Sequence, residues 1–203
     1  MAVAGPRLLV TGFGPFPGAP RNPTEILVHG LAGEAPEAFG AGALKTAVLP
    51  TDYRRSWRML RRLYAGFAPD IVVHFGVSQK LKAIHVERVA RNAANPARPD
   101  AAGYVPPSAR ARRSGPEVLL STLPVSAVHA ALAEAGFPAV LSDDAGAYVC
   151  NATLYRSLAA NAAPRIGFIH VPPIGRRGMT QTDVFEAACV ALRAAALSRD
   201  AGP

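Results

Sequence analysis

Cysteines are scarce in this sequence, and it has no long apolar run. Its 203 residues include two cysteines, Cys150 and Cys189, too few for a disulfide framework and expected to stay as thiols. No apolar run approaches the roughly 20 residues that cross a bilayer, and the first residues lack a basic segment followed by an apolar one. These absences predict a cytoplasmic chain with no membrane partner.

Acidic residues are also few, with 14 Asp and Glu against 22 Lys and Arg and a net charge of +8. Such an excess raises nucleic acid or another anionic surface as a partner. Five arginines recur at about helical spacing and three more fall in a Pro-rich stretch: Arg54, Arg55, Arg58, Arg61, Arg62, Arg110, Arg112 and Arg113. We interpret them as solvated charges and expect no nucleic-acid partner, because no recognised nucleic-acid motif accompanies them.

What the sequence does have is an alternation of strand-like and helix-like segments, typical of an α/β protein with a mostly parallel sheet. Its length predicts one domain, residues 1–203. Strands are predicted at 7–11, 44–49, 70–76, 118–120, 139–141 and 166–171. Helices are predicted after the cap Asn22, at 52–67, at 125–135, after Tyr148 and at 180–197. Residues 92–116, rich in Pro and Arg, are predicted to form a loop or a weak hairpin.

Cys150 is the first candidate for chemistry. It lies where a glycine-bearing loop gives way to a helical pattern, so the thiol is expected near a helix N-terminus. The positive end of the helix favours a thiolate there, and the unpaired N–H groups of its first turn can hold an oxyanion. Cys189 lies inside the last amphipathic helix, as expected of a thiol that only packs.

Two histidines compete for the role of base to such a thiol. His170 ends a buried strand, at the kind of edge where catalytic groups of open α/β sheets are found, and His74 also lies on a buried strand. The residues alone divide the role evenly between them. Glu87, in an apolar strand-like segment, either pairs with Arg88 at the surface or orients a histidine in a triad.

The surroundings of these residues resemble pyroglutamyl peptidase I, also called pyrrolidone-carboxylate peptidase. The resemblance runs from about Leu8 to the last helix and rests on four motifs in the family's order. The motifs are Thr11-Gly12-Phe13-x-Pro15-Phe16 with Asn22-Pro23, Glu87-Arg88-Val89-Ala90-x-Asn92, Gly146-x-Tyr148-x-Cys150-Asn151, and Phe168-Ile169-His170-Val171-Pro172.

The resemblance implies a three-layer α/β/α fold of the phosphorylase/hydrolase-like kind, around a twisted open sheet. It implies a catalytic triad of Cys150, His170 and Glu87, which resolves the choice between the histidines. It also implies substrate-binding residues Phe13, Phe16 and Asn22, hydrolysis of N-terminal pyroglutamate through a thioester, and a homo-oligomer, often a tetramer. No metal or cofactor is expected, since neither HExxH nor CxxC occurs.

One segment departs from the family's pattern. The family usually has a Gly-rich turn with an arginine six residues before its glutamate, and here Leu81 stands at that position, preceded by Gln79 and Lys80. Lys80 or Lys82 is a candidate replacement for the missing positive charge. The departure leaves open a second hypothesis, that of a catalytically impaired or differently specific relative that binds a small peptide or lactam.

Overall fold

A six-stranded sheet lies at the centre of the protein. The computed structural model describes residues 5–175 and 178–198. Its strands are β1 (Arg7–Phe13), β2 (Ala43–Leu49), β3 (Ile71–Val77), β4 (Ile84–Glu87), β5 (Val89–Arg91), β6 (Val118–Leu120), β7 (Ala139–Ser142) and β8 (Arg165–Val171). Its helices are α1 (Pro23–Leu31), α2 (Arg55–Phe67), α3 (Val125–Glu134), α4 (Val149–Ala159) and α5 (Gln181–Leu197), with a short 3-10 helix at Pro36–Phe39.

The strand order of the main sheet is β2-β1-β3-β8-β4-β7. The first four of these strands are parallel, β4 runs antiparallel to β8, and β7 is parallel to β4. β3 and nearly all of β8 are buried, which explains why both read as continuous apolar runs in the sequence. The predicted mostly parallel sheet is therefore confirmed, with two strands of opposite direction at one side.

Helices cover both faces of the sheet. One buried cluster joins the sheet to α1, α3 and α5, and a second joins it to α2 and α4. Leu8 and Leu9, adjacent on β1, belong to different clusters because successive side chains of a strand point to opposite faces. The three-layer α/β/α architecture expected from the sequence is confirmed. No helix in the described part of the chain is both long and apolar enough to span a membrane.

Two boundaries differ from the sequence prediction by more than one residue. β1 runs on to Phe13, because Gly12 and Phe13 continue the parallel pairing with β2. α2 begins at Arg55 rather than at residue 52, because the Asp52 carboxylate accepts hydrogen bonds from the backbone N–H groups of Arg54 and Arg55 before the helix starts. β1 is therefore longer and α2 shorter than predicted, but both elements were located correctly from the sequence.

Residues 92–116 contain no strand or helix and connect β5 to β6, which pair with each other as a separate two-stranded sheet. The segment is tied to α4 at its start, where the Asn151 amide donates to the carbonyls of Arg91 and Ala93 and accepts from the Arg91 N–H. It therefore returns to the end of the molecule where α4 begins.

Candidate active site

Cys150 is the second residue of α4 and is half-buried. Tyr148 is the N-cap and has no capping side-chain bond, and Gly146 in the preceding loop has a positive φ of 77°, a conformation that glycine adopts without strain. The first N–H groups of a helix have no acceptor within it. Cys150 thus lies beside free backbone donors, as its position in the sequence predicts.

His170 and Glu87 lie on neighbouring antiparallel strands. His170 is the residue before the end of β8, Glu87 ends β4, and the register sets Glu87 opposite Phe168. Phe168 and His170, two residues apart, point to the same face, so Glu87 is the diagonal neighbour of His170. The His170 Nδ1–H donates to Glu87 Oε1 at 2.8 Å, with the two residues only 5% and 1% exposed. This buried pair depends on the reversed direction of β4.

The electrostatics of His170 favour the charged imidazolium. Burial by itself lowers the pKa of His170, but its interactions with the Cys150 thiol and with Glu87 outweigh burial and raise the pKa to about 9. The Phe168 ring packs 4.6 Å from the imidazole, centroid to centroid, and shields the pair from solvent. The second carboxylate oxygen, Glu87 Oε2, is buried without a hydrogen-bond partner among the described residues. Glu87 is therefore held against the histidine rather than paired with Arg88, which instead bonds Asp143.

His74, the competing histidine, lies in the middle of β3 and does not line the cavity that contains Cys150. Its Nδ1 shares a 2.7 Å hydrogen bond with the Thr11 hydroxyl, and its Nε2 lies near the hydroxyls of Ser157 and Tyr64. Complete burial lowers the pKa of His74 to about 3, so the ring is neutral at physiological pH. His74 is therefore part of a buried polar network between the sheet and the helices α2 and α4.

Gly76 was not singled out from the sequence, yet it borders the Cys150 thiol and the Phe168 ring. A Cβ at this position would lie 2.7 Å from Phe168 Cζ and 3.1 Å from Cys150 Sγ. The absence of a side chain leaves the space that the thiol occupies. The available signal was its position, because Gly76 is the last residue of the strand predicted at 70–76.

Cys150 and His170 line one cavity of about 370 Å³. All three residues expected to bind substrate line it too: Phe13, Phe16 and Asn22. Phe13 is buried and Phe16 is half-buried. The amide of Asn22 is engaged structurally, because its Nδ2 donates to the Gly14 carbonyl and its Oδ1 caps α1 through Thr24. The cavity thus has two aromatic walls and a hydrogen-bonded loop beside them.

Several further lining residues lie outside the four sequence motifs: Thr51, Ser78, Asn95 and Arg98. They come from three separate loops that only the fold brings together, and they join Tyr148 of the cysteine motif at the cavity. Arg98 lies over the Tyr148 ring, 4.2 Å from its centroid, and the Tyr148 hydroxyl donates to the Pro99 carbonyl. The long 92–116 segment therefore forms part of the cavity wall.

The segment that departs from the family's pattern also reaches the cavity. Ser78, Gln79 and Lys80 line it, whereas Leu81 and Lys82 do not. Of the two lysines suggested as replacements for the missing arginine, Lys80 is the one at the site. Among the residues that the structure describes, the cavity therefore carries two cationic side chains at exposed positions, Lys80 and Arg98, and no carboxylate lines it.

Hydrolases that act through a thiol need a base within reach of the sulfur and a group that fixes the base. Here the ends of β4 and β8 and the start of α4 bring such groups together at one edge of an α/β sheet. The fold and the site together define a cysteine hydrolase.

Comparison with known proteins narrows this class to one family. The family model described as pyroglutamyl peptidase matches residues 6–199. A pyrrolidone-carboxylate peptidase of Thermococcus onnurineus is 36% identical over 177 residues, which cover 85% of this chain and 86% of that protein. The chain belongs to the pyroglutamyl peptidase family and is a cysteine peptidase.

Solved structures agree in fold. Pyroglutamyl peptidase I of Bacillus amyloliquefaciens superposes with a TM-score of 0.88 at 28% identity, over 97% of each chain. Pyrrolidone carboxyl peptidase of Thermococcus litoralis superposes with a TM-score of 0.85 at 29% identity, over 94% of this chain and 93% of that one. The similarity therefore extends over nearly the whole chain.

Proposed function

We propose that this chain removes N-terminal pyroglutamate from peptides, with Cys150 as nucleophile, His170 as base and acid, and Glu87 as the residue that orients His170. The observation that carries the proposal is the buried His170–Glu87 pair beside the Cys150 thiol, in a cavity walled by Phe13 and Phe16. The names of the relatives, pyrrolidone-carboxylate peptidases, support the substrate class.

Recognition of the pyroglutamyl ring follows from the chemistry of the cavity. The ring is a small neutral lactam, so the apolar faces of Phe13 and Phe16 can cover it while backbone groups bond its N–H and carbonyl. A free N-terminal ammonium would lose its hydration against these walls without gaining a carboxylate partner, since no Asp or Glu in the described part of the chain lines the cavity. The site thus selects against ordinary N-termini.

The reaction begins with transfer of the Cys150 proton to His170. The thiolate attacks the carbonyl carbon that joins pyroglutamate to the next residue, and the N–H groups at the start of α4 stabilise the oxyanion. The tetrahedral intermediate collapses, the C–N bond breaks, and the leaving amine takes a proton from the His170 imidazolium. A pKa of about 9 suits His170 to hold that proton at neutral pH.

The second half of the reaction hydrolyses the thioester. Water attacks the acyl carbon as His170 accepts one of its protons, the C–S bond breaks, and free pyroglutamate leaves with the thiol restored. Glu87 keeps its charge and stabilises the imidazolium in both halves. We further propose that residues 1–203 act as one catalytic domain within a homo-oligomer, with a tetramer as the expected form, in the cytoplasm.

The two cysteines provide the test. Cys150→Ala should abolish release of a pyroglutamyl reporter, and Cys189→Ala, which removes a half-buried thiol on α5 outside the cavity, should leave it within about twofold. Prolyl and alanyl reporters should be hydrolysed far more slowly than the pyroglutamyl one. Equal activity of the two cysteine variants would refute the proposal.

The altered 77–82 segment favours a second function, that of a relative that binds a peptide or lactam without turnover. Lys80 at the cavity, in place of the family's glycine-rich turn, is the observation in its favour. Alkylation of Cys150 by a mild thiol reagent, together with no hydrolysis of any pyroglutamyl peptide, would support this reading over the first.

A further inference from the structure

A second concave surface lies between α2, the 92–116 segment and α4, and it shares no lining residue with the catalytic cavity. Its volume is about 600 Å³, and it is open to solvent. We call it the arginine groove, after the six arginines that line it: Arg54, Arg58, Arg61, Arg112, Arg113 and Arg156.

The fold assembles this groove from three separate parts of the chain. Of the five arginines with helical spacing around α2, Arg54, Arg58 and Arg61 line the groove, whereas Arg55 and Arg62 do not. The 92–116 segment and α4 supply the other three. The sequence predicts solvated charges because nothing in it shows that the arginines of the loop converge with those of the helix.

The positive charge of the groove is not compensated. No Asp or Glu lines it, and none of its six arginines forms an ion pair with any described residue. Burial lowers the pKa of Arg156; the nearby Tyr104 and Tyr53 raise it, and the charge of Arg112 lowers it. The positive charges around the groove repel each other. An anion that enters the groove reduces this electrostatic repulsion and also forms hydrogen bonds with the guanidinium groups.

Three of the six guanidinium groups are held in place before any ligand arrives. Arg156 donates to the backbone carbonyls of Ala111 and Tyr53, and Arg112 donates to the carbonyl of Ala159. Arg54 lies over the Tyr104 ring, 3.8 Å from its centroid. A guanidinium has five N–H donors, so each of these groups keeps donors for a ligand. A guanidinium group that is already held in place can bind two phosphate oxygens at once, and it loses less conformational entropy on binding than a freely rotating side chain does.

We infer that the arginine groove binds a polyphosphate, either inorganic or carried by a nucleoside. A single phosphate or carboxylate engages one or two guanidinium groups, whereas six spread around 600 Å³ match an anion with several phosphate groups in a chain. The half-buried ring of Trp57 also lines the groove and offers a face to a base. This binding site is independent of the proposed peptidase reaction.

Trp57 makes the inference directly measurable, because it is the sole tryptophan of the chain. Fluorescence is titrated with inorganic tripolyphosphate, with ATP and with a single-stranded oligonucleotide at near-physiological salt, and calorimetry repeats each titration without relying on Trp57. Tripolyphosphate and ATP should both give saturable binding. Equal affinities would assign the binding to the phosphate chain, and tighter binding of ATP would add a contribution from the nucleoside.

The matched variants are Arg58→Glu and Arg61→Glu in the groove and Arg62→Glu outside it. All three positions are exposed on α2 and the charge change is the same, so folding and net charge are matched. The groove variants should weaken polyphosphate binding about tenfold or more, and Arg62→Glu by less than about twofold. Thermal melting of each variant verifies its fold.

Three results would overturn the inference. The first is no saturable binding of either polyphosphate to the wild-type chain. The second is equal weakening by Arg58→Glu and Arg62→Glu, which would show attraction to net charge alone. The third is oligonucleotide binding that strengthens with length and far exceeds that of ATP, which would make the groove a nucleic-acid surface instead.

Discussion

Gly76 on β3 is the register partner of His170 on β8, at the point where the two parallel strands approach the cavity. The missing side chain on one strand leaves room beside the imidazole on the other, and the Cys150 sulfur borders that room. The geometry of the candidate site therefore depends on a residue that has no side chain of its own.

Gly76→Ala should reduce activity sharply without removing any reactive group. The new Cβ would meet the buried Phe168 ring at 2.7 Å and Cys150 Sγ at 3.1 Å, so the ring, the thiol or both must shift. Overpacking of this kind costs about 1–3 kcal/mol of stability. We expect at least a tenfold loss of kcat/KM on a pyroglutamyl reporter at a temperature where the variant is folded.

Gly66→Ala is the matched control, because nothing lies within 4 Å of a Cβ there and the residue is inside α2. It should keep full activity and gain up to about 1 kcal/mol of helix stability. Similar losses in the two alanine variants would contradict the role assigned to Gly76.

Glu87→Gln should change both the rate and its pH dependence. The amide keeps a similar shape but has no charge to stabilise the imidazolium, so the pKa of His170 should fall from about 9. The decline of kcat/KM on the alkaline side, expected near pH 9 in the wild type as His170 loses its proton, should move to lower pH. The rate should fall by roughly tenfold or more.

Glu186→Gln on the exposed side of α5 serves as the control and should leave the pH profile unchanged. An alkaline limb that stays in place in Glu87→Gln would show that Glu87 does not set the protonation of His170. If the rate falls but the pH dependence of kcat/KM does not shift, Glu87 holds the site in shape without stabilising the imidazolium.

Apart from β4 and β5, which were not among the predicted strands, the order of elements could be predicted from the sequence because each buried strand and amphipathic helix carries a local pattern. The direction of β4 could not, since strand direction is set by pairing between distant segments and not by composition. That pairing is what brings Glu87 to His170. The convergence of arginines from α2, the 92–116 segment and α4 was hidden for the same reason.

The two histidines illustrate the limit at the level of single residues. Both follow buried apolar runs, yet β3 continues for three residues past His74, whereas β8 ends one residue after His170. Only the paired strands show which ring is enclosed and which faces the cavity. The motif resemblance named His170 without this geometry.

His74→Gln should make the protein less sensitive to mild acid. The pKa of His74 is about 3 in the folded protein and ordinarily about 6.5 in an unfolded chain, so the unfolded state binds the extra proton first as the pH falls. Stability from the neutral ring is therefore present above about pH 6.5 and lost progressively towards pH 3.

Between pH 6.5 and pH 5 this loss amounts to about 1.6 kcal/mol in the wild type, because the unfolded histidine is already half protonated at pH 6.5. Urea unfolding at the two pH values should show a difference smaller by about that amount in His74→Gln, although the variant is less stable at both. The same pH sensitivity in both proteins would mean that other groups dominate the acid response.

The charge at the mouth of the cavity should be visible in the preference for the residue after pyroglutamate. Lys80 and Arg98 are exposed, whereas Phe13, Asn22 and His170 are buried, so a ring in the buried part directs the rest of the peptide past the two cations. An exposed pair contributes up to about 1 kcal/mol, so a pyroglutamyl-Glu peptide should exceed its pyroglutamyl-Lys counterpart about two- to fivefold in kcat/KM.

Arg98→Ala should reduce this ratio towards one while Arg62→Ala, outside the cavity, preserves it, and added salt should weaken the preference. Hydrolysis of the pyroglutamyl-Ala peptide tests the peptidase activity separately from the charge preference. If that peptide is hydrolysed but the Glu and Lys peptides react equally fast, only the role of Lys80 and Arg98 is contradicted.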